Sequence, residues 1–305
     1  MSPISQTVND NARARISVKS FFQIGAAFAR FGLHRHSRLY HKLFMKCRSA
    51  PWLKAVILDL LLHDVHWSLF HKKNADFSVL FLNAGAHIQH HYFFNAAPIK
   101  KLGTRRNPEW YVSQDKDPIE DFLKVYDLIV GEYFALEGVE TILATGLSQD
   151  PYDRVEFFYR LVDHGGFLDR LGIVYQNVYP RMTRDFLIEF CDASHAESAK
   201  KTLAAIRVAY DGLPLFGEID NRGDSLFVTL TYPNEIFDDT FVVIDGVEIF
   251  INKFLSFVAV KNGMHDGKGF SFFTPQVAKC SPVDNAHVCC LFQSIAEYFD
   301  LDILR

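Results

Sequence analysis

Residues 77–145 constrain the fold more than any other part of the chain, because their pattern is that of a strand, a helix and a second strand. The run "FSVLFL" (77–82) is short and continuously apolar, which is typical of a strand buried on both faces. Asp117 then predicts the N-cap of an amphipathic helix over 118–136. The second strand is "ETILAT" (140–145). A helical crossover of this length favours parallel pairing, and therefore an α/β fold with a mostly parallel sheet covered by helices.

The pattern divides the whole chain into four regions. Residues 1–76 are a basic region with helix-like apolar spacing, and residues 77–183 hold the first part of the α/β core. Residues 184–236 change to the order strand, helix, strand, strand, which predicts a small βαββ insertion. Residues 237–305 return to the sheet pattern and end in an amphipathic helix, so they form the second part of the core. With 305 residues, 49% of them hydrophobic, the chain is long enough to bury a sizeable core.

Neither a membrane-spanning segment nor an export signal is expected. Apolar runs such as "AVILDLLL" (55–62) are far shorter than the roughly 20 residues of a membrane-spanning helix. The N-terminus lacks the pattern of a secretory signal peptide. The cysteines are odd in number and lack C-x-x-C spacing, which favours reduced thiols and a cytoplasmic location. They are Cys47, Cys191, Cys280, Cys289 and Cys290.

The net charge of −4 conceals a basic segment near the N-terminus. From Asn11 to Leu58 there is no Asp or Glu, whereas Lys and Arg are frequent. This segment, residues 11–58, fits contact with a polyanion or with an anionic membrane surface, because clustered Lys and Arg displace the counterions of phosphates. Charge runs are more often the solvated faces of helices, so both interpretations stay open.

Three histidines that follow the first apolar run are the clearest candidates for chemistry. His87, His90 and His91 lie in "FLNAGAHIQHHYFFNA" (81–96), and in a helix the spacing i, i+3, i+4 places them on one face, as in a metal site. Histidines among aromatic residues are more often hydrogen-bonded packing residues. A metal site is therefore indicated only if another part of the chain supplies a further ligand. The best distant partner is His265, in the glycine-rich "KNGMHDGKGFSFFTP" (261–275).

The order of these features resembles the alkaline-phosphatase-like superfamily, in particular its type I phosphodiesterase, nucleotide pyrophosphatase and sulfatase-related branches. Those proteins have a strand ending in D-x-x-x-H, a helix, a strand ending in S-D-H-G, a later His followed by a glycine, and a C-terminal helix. The matching segments here are "FSVLFLNAGAHIQHHYFF", "DPIEDFLKVYDLIVGEYFALEGVETILAT", "GMHDGKGFSFFTP" and "DNAHVCCLFQSIAEYFDL". They cover residues 77–302 apart from the insertion. The resemblance implies an alkaline-phosphatase-like core in which two metal ions, commonly zinc, hold a phosphate or sulfate ester.

Residue by residue, the resemblance assigns part of a metal site. His90 matches the His of D-x-x-x-H, and His265 matches the later His, as ligands of the same metal. Ala86 stands where the family has Asp, with His87 beside it as a substitute ligand. The S-D-H-G position reads "ATGLSQ", so the second metal lacks two ligands. The unit that carries the family's nucleophile has no match in residues 1–76, so the chain is either N-terminally shortened or remodelled at its site.

The expected function is therefore that of a metal-dependent hydrolase acting on small-molecule or polymeric phosphate or sulfate esters. The expected ligands of a divalent metal, zinc by resemblance, are His87, His90 and His265. The expected substrate contacts are His91, Gln149, Arg181 and Arg184, and the nucleophile is not identified. The chain has no P-loop, dinucleotide-binding, G-x-S-x-G or H-E-x-x-H motif. The alternative is a catalytically inactive relative that serves as a binding or scaffold protein.

Overall fold

The computed structural model describes residues 18–103, 105–181, 184–244 and 246–302. The α-helices of these residues are α1 (Val18–Ala27), α2 (Leu33–Arg35), α3 (Ser37–Lys46), α4 (Leu53–Lys73), α5 (Ala84–Tyr92), α6 (Ala97–Lys101), α7 (Pro118–Phe134), α8 (His164–Arg170), α9 (Ala193–Ala205) and α10 (Cys290–Tyr298). A π-helical turn joins α1 to α2, and short 3-10 helices occupy Phe93–Asn95, Ile251–Lys253 and Val277–Cys280. Within the described chain, no helix combines the length and the apolar character that crossing a bilayer requires.

The β-strands are short apart from two, and they pair antiparallel. They are β1 (Ile142–Ala144), β2 (Ser148–Leu161), β3 (Asn177–Pro180), β4 (Asp185–Glu189), β5 (Phe216–Asn221), β6 (Ser225–Leu230), β7 (Phe241–Ile244), β8 (Val247–Phe250), β9 (Leu255–Asp266) and β10 (Ser271–Phe273). Four separate sheets result, with the orders β1-β10, β2-β9, β3-β4-β6-β5 and β7-β8.

The predicted fold class, a mostly parallel sheet with an alkaline-phosphatase-like core, is therefore wrong. The apolar run 77–82 forms no strand, and Phe77, Val79 and Phe81 are more than half exposed. The second predicted strand is reduced to β1, whose partner is β10 and not the run 77–82. The helix between them packs on other helices, so there is no crossover over a sheet.

Contact clustering divides the described chain into two compact units. The helical unit comprises the described residues of 18–153 and 262–302, and the sheet unit comprises those of 154–261. In the helical unit, α4 contributes nine buried residues between Leu53 and Asp64, and its C-terminal part is intermediate or exposed. It packs against α3, α5 and α7. The N-cap of α7 is Asp117, whose side chain accepts hydrogen bonds from the backbone N–H groups of Ile119 and Glu120, so this predicted helix start is confirmed.

A buried carboxylate fixes the start of α5, the helix that carries the three neighbouring histidines. Asp59 Oδ2, on α4, accepts hydrogen bonds from the backbone N–H groups of Asn83 (2.9 Å) and Ala84 (2.7 Å). Tyr126 on α7 donates its hydroxyl proton to the same oxygen at 2.5 Å. Burial raises the pKa of Asp59, although these hydrogen bonds oppose the shift. The three helices α4, α5 and α7 are thus tied together at one point.

The sheet unit contains the strand, helix, strand, strand order that the sequence pattern indicates. Its four-stranded sheet is covered by α9, which begins at the side-chain cap of Asp192 and packs on β5 and β6. The buried rings of Phe167, Phe186 and Phe216 contact one another edge to face beneath the sheet. Strand β3 adds a fourth strand at the edge beside β4.

Candidate functional site

The helical unit brings two histidines and two carboxylates together in what we call the carboxylate cluster: His36, His63, Asp64 and Glu132. His36 lies at the break between α2 and α3, where the backbone leaves helical geometry (φ −119°, ψ 30°). His63 and Asp64 are adjacent residues in the middle of α4, and both side chains are fully buried. Glu132 lies in the last turn of α7.

Each histidine of the cluster faces a carboxylate at hydrogen-bond distance. His36 Nδ1 lies 2.7 Å from Asp64 Oδ1, and His36 Nε2 lies 3.2 Å from Glu132 Oε1. His63 Nε2 lies 2.6 Å from Glu132 Oε2. Ligand nitrogens of both histidines and a ligand oxygen of Asp64 lie within 4.8 Å of one another. Among the described residues, this is the one group of three or more His, Cys, Asp and Glu side chains that meets this spacing.

A second layer of side chains orients the four residues. Tyr40, itself buried, donates its hydroxyl proton to Asp64 Oδ2 at 2.7 Å. Tyr133 places its hydroxyl 3.1 Å from His63 Nδ1. The guanidinium of Arg35 pairs with both Asp64 and Glu132 and stacks on the ring of Trp67 at 4.1 Å. Such outer contacts fix the rotamers of metal ligands in proteins.

The two histidines of the cluster have opposite pKa shifts. The hydrogen bond to Asp64 raises the pKa of His36, with the charge of Glu132 adding to it, because both ring nitrogens face carboxylates. Burial lowers the pKa of His63 and outweighs the pull of Glu132. Burial alone would raise the pKa of Glu132, but His63, Arg35 and His36 together hold it below its usual value. At neutral pH His63 is therefore neutral and Glu132 is ionised, while His36 holds a proton more strongly than a free imidazole does.

The tautomer of His63 decides whether it presents a lone pair to Glu132. Tyr133 has one hydroxyl proton and two imidazole neighbours, since His66 Nδ1 also lies within 2.6 Å of its oxygen. When Tyr133 donates to His66, His63 Nδ1–H donates to Tyr133, and the lone pair of His63 Nε2 points at the carboxylate. Two lone pairs 2.6 Å apart repel unless a cation lies between them. This form of the cluster is the form that a metal ion requires.

A pocket of about 310 Å³ opens beside the cluster. It is lined by Arg35, His36, Ser37, Arg38 and Leu39. Arg35 Nε is buried and lies 3.3 Å from Asp64 Oδ1 in an ion pair. The pocket is therefore lined by two arginines, of which Arg35 is already paired with the cluster.

The predicted site residues His87, His90, His91 and His265 form a second group, which we call the histidine-only cluster. All of the first three lie on α5, as predicted. His90 Nε2 lies 2.8 Å from His265 Nε2, so the predicted distant partner is adjacent to His90. His87 instead contacts His91, with 4.6 Å between ring centroids. The binding of a metal by His87, His90 and His265 stays a prediction.

Hydrogen bonding satisfies the His90–His265 pair without a cation. His90 Nδ1 lies 3.1 Å from the carbonyl oxygen of Gly263, to which it can only donate. His90 Nε2 is then an acceptor for His265 Nε2–H. Burial lowers the pKa of His91 to about 3, with the charges of His87 and His90 adding to the shift. His91 is therefore a neutral imidazole at neutral pH.

The remaining predicted substrate contacts are not gathered in one place. Gln149 donates to the carbonyl oxygen of Ala86 at 3.0 Å, on the helix that carries the histidines. Arg181 and Arg184 belong to the sheet unit. Their guanidinium groups lie over the rings of Tyr179 (5.9 Å) and Phe158 (3.9 Å). Their roles in substrate binding stay predictions.

The carboxylate cluster was missed by sequence reasoning, although one signal for it is visible. His63 and Asp64 follow "AVILDLLL" directly, and an ionisable pair in the buried core of a helix needs partners. Those partners come from two other helices, at positions whose sequence spacing carries no motif. The missing information was which helices pack together.

Comparison of the chain with protein-family models, with curated proteins and with solved structures gives no match in any of the three. The resemblance to the alkaline-phosphatase-like superfamily thus rests on the order of motifs alone, and the core that it implied is absent from the described residues. The geometry of the two clusters is the basis for a function.

Proposed function

We propose that this protein is a metal-dependent hydrolase of phosphate or sulfate esters, and that the carboxylate cluster binds its metal ion. The observation that carries the proposal is the donor set: the imidazoles of His36 and His63 and the carboxylate of Asp64 have ligand atoms within 4.8 Å of one another. Glu132 lies at hydrogen-bond distance from both histidines. Mixed imidazole and carboxylate ligands suit divalent ions such as zinc, iron and manganese. The proposal keeps the metal chemistry expected from the sequence and moves it to other residues.

The carboxylates of the cluster are the groups that would attract a divalent cation. Asp64 and Glu132 each face Arg35 and His36 at ion-pair distance. A metal ion would take the place of the His36 proton, because an imidazole must be neutral to bind it. Metal binding by this cluster should therefore strengthen as the pH rises.

The adjoining pocket suits the anionic part of an ester. Arg35 and Arg38 line it, and arginine pairs with phosphate and sulfate oxygens through parallel hydrogen bonds. Arg38, whose side chain is exposed, would donate to such an oxygen. An ester bound there would lie beside the imidazole of His36.

The proposed chemistry uses water as the nucleophile. A divalent ion held by the cluster would supply hydroxide near neutral pH, because it would lower the pKa of a water beside it. No serine or threonine nucleophile would then be needed, in keeping with the lack of the family's nucleophile unit in the sequence. Glu132, whose side chain is 28% exposed, would accept the proton of that water.

The test combines metal analysis with hydrolysis of aryl phosphate, phosphodiester and aryl sulfate esters. The purified protein should bind about one divalent ion and hydrolyse at least one ester class, and a chelator should abolish both reversibly. The variants Asp64→Asn and His36→Gln should lose metal and activity, each checked for folding by circular dichroism.

His195→Ala is the matched control, since His195 Nδ1 lies 2.9 Å from Asp192 in an exposed histidine–carboxylate pair of the sheet unit. This variant should retain metal and activity. A folded protein that binds no divalent ion would overturn the proposal. The carboxylate cluster would then be a structural network, and the binding or scaffold alternative would stand.

The proposed location is the cytoplasm. All five cysteines are free thiols, and two of them are exposed, which suits a reducing compartment.

A further inference from the structure

Helix α1 turns its apolar residues outward. Val18, Phe21 and Phe22 are 65–73% exposed, whereas the polar Ser20 is buried. The spacing i, i+3, i+4 places the three apolar side chains on one face of the helix. Burying them inside the protein would be the usual outcome, because each large apolar side chain gains free energy on leaving water. An exposed apolar stripe of this kind is typical of a surface that binds a partner or a membrane.

The exposed apolar surface continues onto α3. The ring of Phe28, in the π-helical turn after α1, contacts the rings of Tyr40 (4.6 Å) and Phe44 (5.4 Å) on α3. Phe44 is half exposed and Met45 is 71% exposed. We define the outer surface as Val18, Phe21, Phe22, Phe44 and Met45.

The segment that carries the outer surface is rich in positive charge. No Asp or Glu occurs between residues 11 and 58. The Lys and Arg side chains on α1, α3 and the residues around them are exposed, apart from Arg35 in the carboxylate cluster. The exposed ones are Lys19, Arg30, Arg38, Lys42, Lys46, Arg48 and Lys54. An anionic partner is therefore the electrostatic complement of this face.

We propose that the outer surface binds an anionic lipid bilayer, with α1 lying in the interface and the basic residues contacting lipid headgroups. The combination of exposed phenylalanines with lysine and arginine is the pattern of interfacial helices. A second copy of the chain would bring two basic segments together, which repel each other. A nucleic acid would pair with the charges but would leave the apolar side chains in water. This inference is independent of the proposed hydrolase function.

The test is co-sedimentation of the full-length protein with lipid vesicles. Binding should be strong to phosphatidylcholine vesicles that contain about one third phosphatidylserine, and at least about tenfold weaker to phosphatidylcholine alone. Raising the salt from about 0.1 M to about 1 M should weaken binding, because the screening length falls from about 10 Å to about 3 Å.

Matched variants distinguish binding through the outer surface from non-specific binding to vesicles. Phe21→Ser/Phe22→Ser should lower the partition coefficient at least about tenfold. Its control, Phe270→Ser/Phe292→Ser, removes phenylalanines of equal exposure (68% and 64%, against 65% and 68%) and should leave binding unchanged. Lys42→Glu/Lys46→Glu should weaken binding about tenfold, and Lys72→Glu/Lys73→Glu, at the exposed end of α4, should not.

Three results would overturn the inference. The first is equal binding to anionic and neutral vesicles. The second is unchanged binding of the Phe21→Ser/Phe22→Ser variant, whose folding is verified by circular dichroism. The third is a protein that does not bind vesicles but forms a dimer, or a complex with duplex DNA or RNA, through the same residues.

Discussion

The two histidine clusters of the helical unit use the same side chain in opposite electrostatic surroundings. In the carboxylate cluster, His36 faces Asp64 and Glu132, and its pKa is raised. In the histidine-only cluster, burial and the neighbouring imidazoles lower the pKa of His91 to about 3. The first cluster attracts positive charge, whereas the second excludes it. The partners of a histidine, and not the number of histidines, indicate where a cation binds.

The comparison also explains why the longest histidine-rich motif is not the strongest metal candidate. His90 and His265 satisfy each other, and the carbonyl of Gly263 satisfies the remaining His90 N–H. In the carboxylate cluster, the groups that face the imidazoles are carboxylates, which attract a cation.

The largest expected difference between the clusters is in stability. Asp64→Ala removes the partner of His36 and Tyr40 and leaves Arg35 with Glu132 as its remaining carboxylate partner. The free energy of unfolding should fall by about 3–5 kcal/mol, because a buried charge network loses one side. His265→Ala, the comparison in the other cluster, should cost less than about 1 kcal/mol. Urea unfolding of both variants with chelator present measures the difference, and equal losses would contradict the contrast.

A smaller effect is expected from acid on His91. Its pKa in the folded protein lies below its pKa of about 6.5 in the unfolded chain, so the unfolded state binds a proton first. Stability should therefore fall as the pH drops below 6.5, by up to roughly 1.4 kcal/mol per pH unit.

The test compares urea unfolding of the wild type and of His91→Gln between pH 7 and pH 4. The difference in slope isolates His91, because the carboxylates titrate alike in both proteins. Parallel slopes would show that His91 is protonated in the folded protein.

The smallest effect on stability is expected from raising the pH, through His36. Its pH dependence is opposite to that of His91. Its pKa is raised in the folded protein, so its stabilisation is complete below about pH 6.5 and is lost as the pH rises through the folded pKa. Metal-free protein should lose stability as the pH rises above about 6.5, and Asp64→Asn should flatten this dependence. Thermal unfolding in chelator at a series of pH values measures it. A slope that persists in Asp64→Asn would assign the effect to another group.

Local signals were sufficient for part of the fold. Asp117 predicted the start of α7 because a capping side chain acts on backbone groups two and three residues away. The histidines at 87, 90 and 91 lie on a helix as their spacing indicated. The proximity of His265 to His90 was also anticipated from the order of motifs.

Long-range pairing decided what the sequence pattern left open. The run 77–82 has the composition of a buried strand, but a strand needs a neighbour, and β1 pairs with β10 instead. Whether β1 pairs parallel or antiparallel thus depended on a partner strand about 130 residues away, and no local pattern specifies that partner. The carboxylate cluster depended in the same way on the packing of α4 against α3 and α7.

The most direct test of the central claim is anomalous X-ray diffraction from crystals soaked in zinc or manganese. The account predicts one anomalous peak at the carboxylate cluster, about 2.0–2.2 Å from a nitrogen of His63 and an oxygen of Asp64. The peak should vanish in Asp64→Asn and persist in His265→Ala. A peak between His90 and His265 with none at the carboxylate cluster, or no peak at either, would contradict it.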